Sequence, residues 1–450
     1  MSTEADYLIL GAGMCGLSAG SILREKAIIL ERESRPGGLV RTERFGEYWF
    51  DHVIHILYFP DHSIEQQVRF HVPDLTFCPP TAWVNTPAGR LKYPFQMHLG
   101  ALSREVVVKC LRDLAETTFG RPGITPTNFQ QMLEHTFGAG MCEMFLFPYN
   151  EKVWKRPLCG LAATGFQWTI THPDYDDVLR GALEPDWVYP AYNSNGWYPR
   201  PPAGAPARGM EIVASAFAQS AGNVRARHEL TRIDLEQKKV TCRTPRGEVE
   251  YAWRRCLCST LPLPTLIQLC VQTPDELLCD ARSLKWNKVV SVMFSIRGPR
   301  PESCGHWEYF SDASICFTRL VFTHRFDPLM APENGWGVMA ELTERFEVTL
   351  ESFDTITARC RSDLRLTGVL SSDSEIVDEH VVVVDPAYVV FDGTHERVVP
   401  RLMDFLDAHS VVTLGRYGEW GYSSLGQVIR AGSEWATRQL RSGGCAEGAG

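Results

Sequence analysis

Three glycines and one glutamate near the start of the chain have the spacing of a dinucleotide-binding site. Gly11, Gly13 and Gly16 form the pattern GxGxxG directly after the apolar run "YLIL", and the helical pattern "LSAGSIL" follows. Strand, tight turn and helix in this order let backbone amides approach a pyrophosphate, which also meets the positive end of the helix dipole. Glu31 ends the next apolar run, "AIIL", where a carboxylate can accept hydrogen bonds from ribose hydroxyls. These residues therefore predict a Rossmann-like dinucleotide-binding unit.

The residues after Glu31 distinguish between the common dinucleotides. Gly37 and Gly38 let the chain cross close to a ligand, and Arg41 can reach a phosphate. The pattern E-x4-PGG-x3-T, formed here by "ERESRPGGLVRT", resembles the second half of the fingerprint of FAD-binding proteins. It is similar to the broad superfamily of amine oxidases, protoporphyrinogen oxidases and UDP-galactopyranose mutases. The resemblance implies that FAD is the cofactor.

Two later segments resemble those that return to the cofactor domain in this superfamily. Strands are predicted at "ELTRIDLE", "KKVTCRT" and "RRCLCST", and Val224 just before them matches a position on the adenine side. In "GRYGEWGYSSLGQVIRAG", Gly415 and Arg416 match residues that approach the flavin. Ser424 and Gln427 open an amphipathic helix, whose N-terminus is expected to face the negative side of a reduced flavin.

Further motifs are similar to those of the UDP-galactopyranose mutases in particular. In "FDHVIHILYF", His55 matches a histidine beside the flavin, although valine and isoleucine replace two glycines of the mutase pattern. His52 is a rival candidate for that role. In "GRLKYPFQMHL", Tyr93 and Gln96 match positions that contact the uridine end of the substrate.

The segment "PYNEKVW" carries the most specific resemblance to the mutases. Asn150 is expected to bind a base edge and Trp154 to stack on it, since a spacing of four places both on one face of a helix. By the same resemblance, Arg319 in "ICFTRLVF" matches an arginine that binds the substrate diphosphate. Tyr388 and Tyr422 match two tyrosines that donate hydrogen bonds to the same diphosphate.

One position departs from the mutase pattern. Mutases hold the diphosphate with two arginines, and the first is replaced by Thr169 or a neighbouring residue within "GFQWTITHPDYDDVL". The loss of one charge-assisted contact costs about 1.5–3 kcal/mol. Either Arg180 or Arg200 supplies the second charge, or the substrate differs.

The resemblance implies a FAD-dependent nucleotide-sugar mutase that interconverts pyranose and furanose rings through N5 of the reduced flavin. In this interpretation His55, Arg319, Tyr388 and Tyr422 are the catalytic residues, and NADH or NADPH is a candidate reductant. The alternative is a FAD-dependent oxidase or desaturase of the amine-oxidase type. A third class is a flavin-free carrier on the same scaffold, against which the intact Glu31 and "RPGG" argue.

The predicted fold class is α/β, with a discontinuous Rossmann-like FAD-binding domain. We expect that domain at residues 1–75, 195–265 and 380–450. A helical insert is expected at 100–190. An antiparallel substrate sheet is expected at 76–99 and 266–379, where "VVSVMFSIRG", "WEYFSD", "CFTRLVF" and "GVMAELT" have strand patterns.

Composition excludes several other classes of function. The chain has 450 residues and a net charge of −9, which argues against a nucleic-acid binder. The longest apolar runs are too short for a membrane span, and the first residues lack the pattern of a signal peptide. The 14 cysteines are scattered in apolar contexts, without metal spacing, so reduced thiols in a cytoplasmic protein are expected. The sequence leaves the oligomeric state open.

Overall fold

A computed structural model describes residues 3–120, 125–165, 170–189 and 195–444, except for the side chains of residues 442–444. Its architecture combines a mixed α/β unit, a mainly antiparallel sheet and a group of helices. The α-helices of the described residues are α1 (Met14–Leu23), α2 (His62–His71), α3 (Arg104–Phe119), α4 (Phe129–Met141), α5 (Phe147–Trp154), α6 (Tyr175–Leu183), α7 (Glu211–Ala221), α8 (Leu263–Leu269), α9 (Asp275–Ser283), α10 (Thr323–Phe326), α11 (Phe353–Leu366), α12 (Gly393–Ala408), α13 (Gly415–Gly418) and α14 (Leu425–Gly444).

The strands form two large sheets and two short hairpin-like pairs, β3 with β4 and β5 with β8. In chain order they are β1 (Glu4–Leu10), β2 (Ala27–Leu30), β3 (Thr42–Phe45), β4 (Tyr48–Asp51), β5 (Leu75–Phe77), β6 (Ala82–Thr86), β7 (Gly89–Lys92), β8 (Trp197–Pro199), β9 (Val224–Arg225), β10 (Glu229–Asp234), β11 (Lys239–Thr244), β12 (Gly247–Ser259), β13 (Trp286–Arg297), β14 (Trp307–Phe310), β15 (Arg319–Phe322), β16 (Gly335–Arg345), β17 (Glu375–Val389) and β18 (Val411–Thr413).

The first sheet has the order β10-β11-β12-β1-β2-β9, and β18 pairs with β12. Strands β12, β1, β2, β9 and β18 run parallel, whereas β11 pairs antiparallel with both β12 and β10. Strand β1 is buried on both faces, with Ile9 in one hydrophobic cluster and Leu8 in another. This explains its continuous apolar run, which is typical of central parallel strands. Helix α1 is buried on nearly all sides and packs against α7 and α14.

The second sheet has the order β17-β13-β16-β15-β14-β6-β7. Its neighbours pair antiparallel, except for β14 and β6, which run parallel. Alternate side chains of β13 and β16 face opposite sides. Phe294 and Ala340 pack in a cluster that includes residues of α11, and Met293 and Met339 join the cluster of the first sheet. The sheet therefore has a covered outer face and an inner face turned toward the α/β unit.

Helices α3 to α6 form a separate group with its own hydrophobic cluster, which includes Phe129 and Phe137. The side chain of Asn128 accepts a hydrogen bond from the backbone N–H of Gln131 and caps the start of α4. Near the end of α4, Gly138 has a positive φ of 74°, and a Cβ there would lie 2.6 Å from the carbonyl of Asp113 in α3. Glycine thus permits the close packing of α3 and α4. A π-helical turn then leads into α5.

The predicted α/β fold class is confirmed, including the insert of helices and the mainly antiparallel second sheet. The predicted strands of both sheets are confirmed as β10 to β12 and β13 to β16. The domain boundaries stay a prediction, and β17 runs across the expected boundary at residue 380. Among the described residues, no helix is both long enough and apolar enough to cross a bilayer.

Candidate functional site

The glycine loop between β1 and α1 has room for a ligand at one position and tight packing at another. A Cβ on Gly16 would lie 2.2 Å from the backbone oxygen of Gly11, so Gly16 is required by packing. A Cβ on Gly13 would meet no atom of the described residues within 4 Å. Gly13 also precedes α1 without a side-chain cap, so the first amides of the helix are available for an anion. The loop therefore fits a pyrophosphate.

Glu31 holds this loop from the end of β2. Its carboxylate is buried and accepts hydrogen bonds from the backbone N–H of Ala12 and of Glu33, both at 2.9 Å. Since each carboxylate oxygen has a second lone pair, contact with a ribose hydroxyl remains compatible with these bonds. Val224 lies beside β2, where β9 pairs with Ile29. The predicted adenine-side residues are therefore close to the nucleotide loop.

The turn at Gly37 and Gly38 lies directly against the glycine loop. The N–H of Gly37 donates to the carbonyl of Ala12 at 2.8 Å. Both glycines have positive φ values, 123° and 58°, and a Cβ on Gly38 would lie 3.2 Å from the Cα of Gly13. Arg41 donates through Nε to the carbonyl of Gly38 at 3.1 Å. The two predicted phosphate-binding segments thus form one continuous surface.

The C-terminal segment packs against the start of α1, directly after the glycine loop. Gly415 has a φ of 77°, and a Cβ there would lie 3.0 Å from Cβ of Cys15 in α1. Ser424 and Gln427 bond each other reciprocally at the start of α14: the N–H of Ser424 donates to Oε1 of Gln427, and the N–H of Gln427 reaches Oγ of Ser424. This arrangement is a capping box. Ser424 lines the cavity described next, whereas the described lining does not include Gln427.

A cavity of about 360 Å³ lies where the α/β unit, the second sheet and the helical insert meet. Its lining is mostly aromatic and aliphatic, with a small number of charged groups. The site residues that the sequence predicted and that line this cavity are His55, Tyr93, Gln96, Asn150, Trp154, Arg319, Tyr388, Arg416, Tyr422 and Ser424. Motifs spread over more than 300 residues therefore converge on one space.

Arg319 is held in this cavity by a carboxylate that the sequence analysis missed. Its Nε and Nη2 donate to Oε2 of Glu341 at 2.6 and 2.5 Å. Arg319 and Glu341 face each other directly across β15 and β16. Burial lowers the pKa of Arg319, but the charge of Glu341 and the neighbouring tyrosines together raise this pKa well above its ordinary value. The arginine is permanently charged and oriented by the sheet.

Arg416 supplies the second guanidinium of the cavity. Its Nη2 donates to the carbonyl of Ala387 at 3.0 Å, and its Nε has no partner among the described residues. The guanidinium lies 4.2 Å from the ring centre of Tyr422 and 5.6 Å from that of Tyr388. An unpartnered buried donor favours occupation by an acceptor from a bound group.

The two other candidates for a second arginine lie elsewhere. Arg180 stacks over Trp187, 5.8 Å from its ring centre, and Arg200 donates to the carbonyl of Phe326. Neither is part of the cavity lining that the structure describes. Thr169, the position of the expected missing arginine, falls outside the described residues.

The structure places the two candidate histidines in different surroundings. His55 lines the cavity, and its Nδ1 is 3.0 Å from the carbonyl of Val53. Burial lowers the pKa of His55 to about 4, so this side chain is neutral near pH 7. His52 instead pairs with Glu43 at 2.6 Å and is not among the described lining residues.

The residues near the predicted base-binding helix are also ordered. Asn150 is buried and donates through Nδ2 to the carbonyl of Leu146 at 2.8 Å, which fixes its amide. The ring of Trp154 lies 6.1 Å from that of Tyr388, edge to face. Tyr149 and Tyr309 complete the aromatic wall, and their rings are 5.5 Å apart. Sequence reasoning missed both tyrosines, although Tyr149 belongs to the quoted "PYN" motif.

These features define the class of the protein as an α/β dinucleotide-binding fold with a buried aromatic cavity. A family model of NAD(P)-binding Rossmann-like domains matches residues 9–68. The chain is similar in structure to reduced UDP-galactopyranose mutase, with a TM-score of 0.88, 20% identity and coverage of 97% of this chain and 95% of that one.

Two other solved structures resemble the chain less strongly. A putative protoporphyrinogen oxidase from Exiguobacterium sp. 255-15 has a TM-score of 0.69 at 14% identity, covering 97% and 99% of the two chains. A double mutant of putrescine oxidase has a TM-score of 0.62 at 13% identity, with the same coverage. At these identities the matches establish the fold. The predicted resemblance to the mutase and oxidase scaffold is confirmed at that level.

Proposed function

We propose that this chain is a FAD-dependent nucleotide-sugar mutase that interconverts pyranose and furanose ring forms. The observation that carries the proposal is the convergence in one cavity of Arg319, Tyr388, Tyr422, Asn150 and Trp154. They combine cationic, phenolic, amide and indole groups, which suit a nucleoside diphosphate.

The residues of the glycine loop fit FAD. Gly11, Gly13 and Gly16 would hold the pyrophosphate, with Gly37, Gly38 and Arg41 on its other side. Glu31 and Val224 would border the adenosine, and Gly415, Arg416, Ser424 and Gln427 would border the ring system. Bound FAD in its reduced form would supply a nucleophilic nitrogen, N5, for the exchange of ring forms at the anomeric carbon of the sugar.

The protein side of the reaction is then positioning and charge stabilisation. Arg319 and the phenols of Tyr388 and Tyr422 would bind the diphosphate and stabilise its negative charge as it leaves the sugar. Asn150 and Trp154 would bind the base, with Tyr93 and Gln96 beside them. His55, neutral and partly buried, would orient groups near the ring without adding charge. The aromatic walls would exclude water from the reacting centre.

A reduction and turnover experiment tests the proposal. The purified protein should absorb near 450 nm, as oxidised flavin does. After anaerobic reduction by dithionite, NADH or NADPH, it should convert UDP-galactopyranose or another nucleotide hexose into a furanose detectable by chromatography. Arg319→Leu should abolish conversion, whereas Arg180→Leu, a change at an exposed arginine outside the described cavity lining, should leave it intact.

Two outcomes would reject the mutase. Flavin-loaded, reduced protein that yields no furanose from any nucleotide hexose would contradict it directly. Stoichiometric peroxide, formed with a product that has lost two hydrogens, would establish the alternative oxidase or desaturase. Protein that binds no flavin would identify a carrier.

A further inference from the structure

A second cavity, of about 610 Å³, borders α5 through residues other than those that line the aromatic cavity. Helix α5 contributes Lys152 to it, α11 contributes Arg359, and the connection between β14 and β15 contributes Cys316. We call this the thiol cavity. None of its groups has a role in the proposed reaction.

Two cysteines meet at the wall of the thiol cavity. Sγ of Cys316 lies 3.6 Å from Sγ of Cys360, which belongs to α11. Both are free thiols; Cys360 is buried and Cys316 is partly exposed. The N–H of Cys316 donates to Oδ2 of Asp363 at 2.7 Å, and Asp363 lies one turn after Cys360 on the same helix. The backbone around Cys316 is thus already held against α11, and a small rotation would bring the sulfurs to the bonding distance of about 2.05 Å.

We propose that Cys316 and Cys360 form a peroxide-responsive modification site, in which hydrogen peroxide entering the thiol cavity converts the two thiols into an intramolecular disulfide. Cys316 attacks one peroxide oxygen, the O–O bond breaks, and one water leaves with a sulfenic acid on Cys316. Cys360 then attacks that sulfur, and the sulfenic oxygen leaves as a second water. Two thiols and one peroxide therefore give one disulfide and two waters.

The surroundings assign different roles to the two sulfurs. Cys316 lines the cavity and is the sulfur that a small oxidant reaches first. Lys152 borders the same cavity, and a neighbouring cation is a feature of reactive cysteines. Cys360 lies behind it in the core of the second sheet, with no exposed area, so it acts as the resolving thiol.

The disulfide would connect two elements that the fold otherwise joins by packing. The connection that carries Cys316 leads directly into β15, and α11 covers the outer face of the same sheet. Because the bond closes a long loop between residues 316 and 360, it restricts the unfolded chain. We expect oxidation to raise the melting temperature by a few degrees, and dithiothreitol to reverse the rise.

Peptide mapping of the wild-type protein tests the proposal without any substitution. After treatment with hydrogen peroxide, the intact mass should fall by two hydrogens, and a non-reduced digest should contain the peptides of Cys316 and Cys360 joined. Cys159 and Cys279 are exposed and serve as internal controls for unselective oxidation. Oxidation of these two before any link forms between Cys316 and Cys360 would overturn the proposal.

Two variants then separate the steps. In Cys360→Ser the sulfenic acid on Cys316 has no resolving thiol, so a dimedone adduct should accumulate there. In Cys316→Ser the buried Cys360 should stay unmodified, and Cys279→Ser should cross-link as the wild type does. A dimedone adduct missing from Cys316 in folded Cys360→Ser protein would overturn the assigned order of attack.

Discussion

Replacing Glu341 by glutamine should destabilise the fold through the positive charge that it leaves behind. Glu341 is buried, with 3% of its side chain exposed, and the side chain of Arg319 is 15% exposed. Removing one partner of a buried ion pair costs about 3–5 kcal/mol, because the other charge remains uncompensated. Glutamine retains an acceptor oxygen near Nε of Arg319, so we expect a loss of about 3 kcal/mol, at the lower end of that range.

A double substitution and a control on the same strand show whether the loss of stability comes from the broken Arg319–Glu341 pair. Changing Arg319→Met together with Glu341→Leu removes both charges, and should restore the free energy of unfolding to within about 1 kcal/mol of the wild type. Glu344→Gln alters a carboxylate on the same strand whose hydrogen bond is exposed, so its effect should stay within about 0.5 kcal/mol. Urea unfolding followed by circular dichroism and tryptophan fluorescence measures all of them.

The same variant tests the proposed ligand. With Glu341 neutralised, the charge of Arg319 is unshared, so UDP should raise the unfolding midpoint more in Glu341→Gln than in the wild type. A Glu341→Gln protein as stable as the wild type would refute the reasoning about the buried pair. An unchanged UDP effect in a destabilised variant would instead refute the role of Arg319 in diphosphate binding.

Three further predictions concern the cofactor loop, the base-binding helix and the histidine of the cavity. Gly13→Ala should fold within about 1 kcal/mol of the wild type but bind FAD poorly. Gly16→Ala should lose about 3 kcal/mol, because its Cβ would lie only 2.2 Å from the backbone oxygen of Gly11. Urea unfolding of flavin-free protein and flavin titration separate the two effects. Trp154→Ala should weaken UDP binding by about 10- to 100-fold in calorimetry, since stacking on a base contributes about 1–3 kcal/mol, and Trp154→Phe should retain most of the affinity. Because burial holds the pKa of His55 at about 4 rather than 6.5, the unfolded chain binds a proton that the folded chain does not between these values. The contribution of His55 to the free energy of unfolding is therefore fully present above pH 6.5, and it should fall by about 3 kcal/mol as the pH drops to 4. In His55→Gln the free energy of unfolding should depend less steeply on pH over this range.

The sequence predicted best what depends on local backbone geometry. Glycine is required at Gly11 by a turn and at Gly16 by a close backbone contact, and both constraints involve residues near in sequence. The local pattern alone therefore identified these two positions. Strands such as β13 were predictable because they are rich in β-branched and aromatic side chains. The cavity residues came from the order of motifs shared with the mutases, which the fold then brought together.

What the sequence could not provide is the pairing of distant side chains. Glu341 meets Arg319 only through the register of β15 with β16, and no local pattern specifies that register. A signal was present nonetheless, since an acidic residue interrupts the apolar run "GVMAELT" at a position that proves to be buried. The motif favoured His55 with His52 as a rival, and the fold separates them because His55 lines the cavity whereas His52 is hydrogen-bonded to Glu43.

The fold couples the proposed base-binding helix, α5, to β15, the strand that carries the proposed diphosphate-binding arginine. Lys152 of α5 donates to the carbonyls of Phe310 and Asp312 at 3.1 and 2.9 Å. These bonds tie α5 to the end of β14 and to the connection between β14 and β15. That connection ends at Arg319, the first residue of β15. A displacement of the connection would therefore shift Arg319 and the helix that carries Asn150 and Trp154 together. Because Cys316 of the thiol pair lies on this same connection, oxidation of the pair would act on both halves of the proposed ligand site through one shared segment.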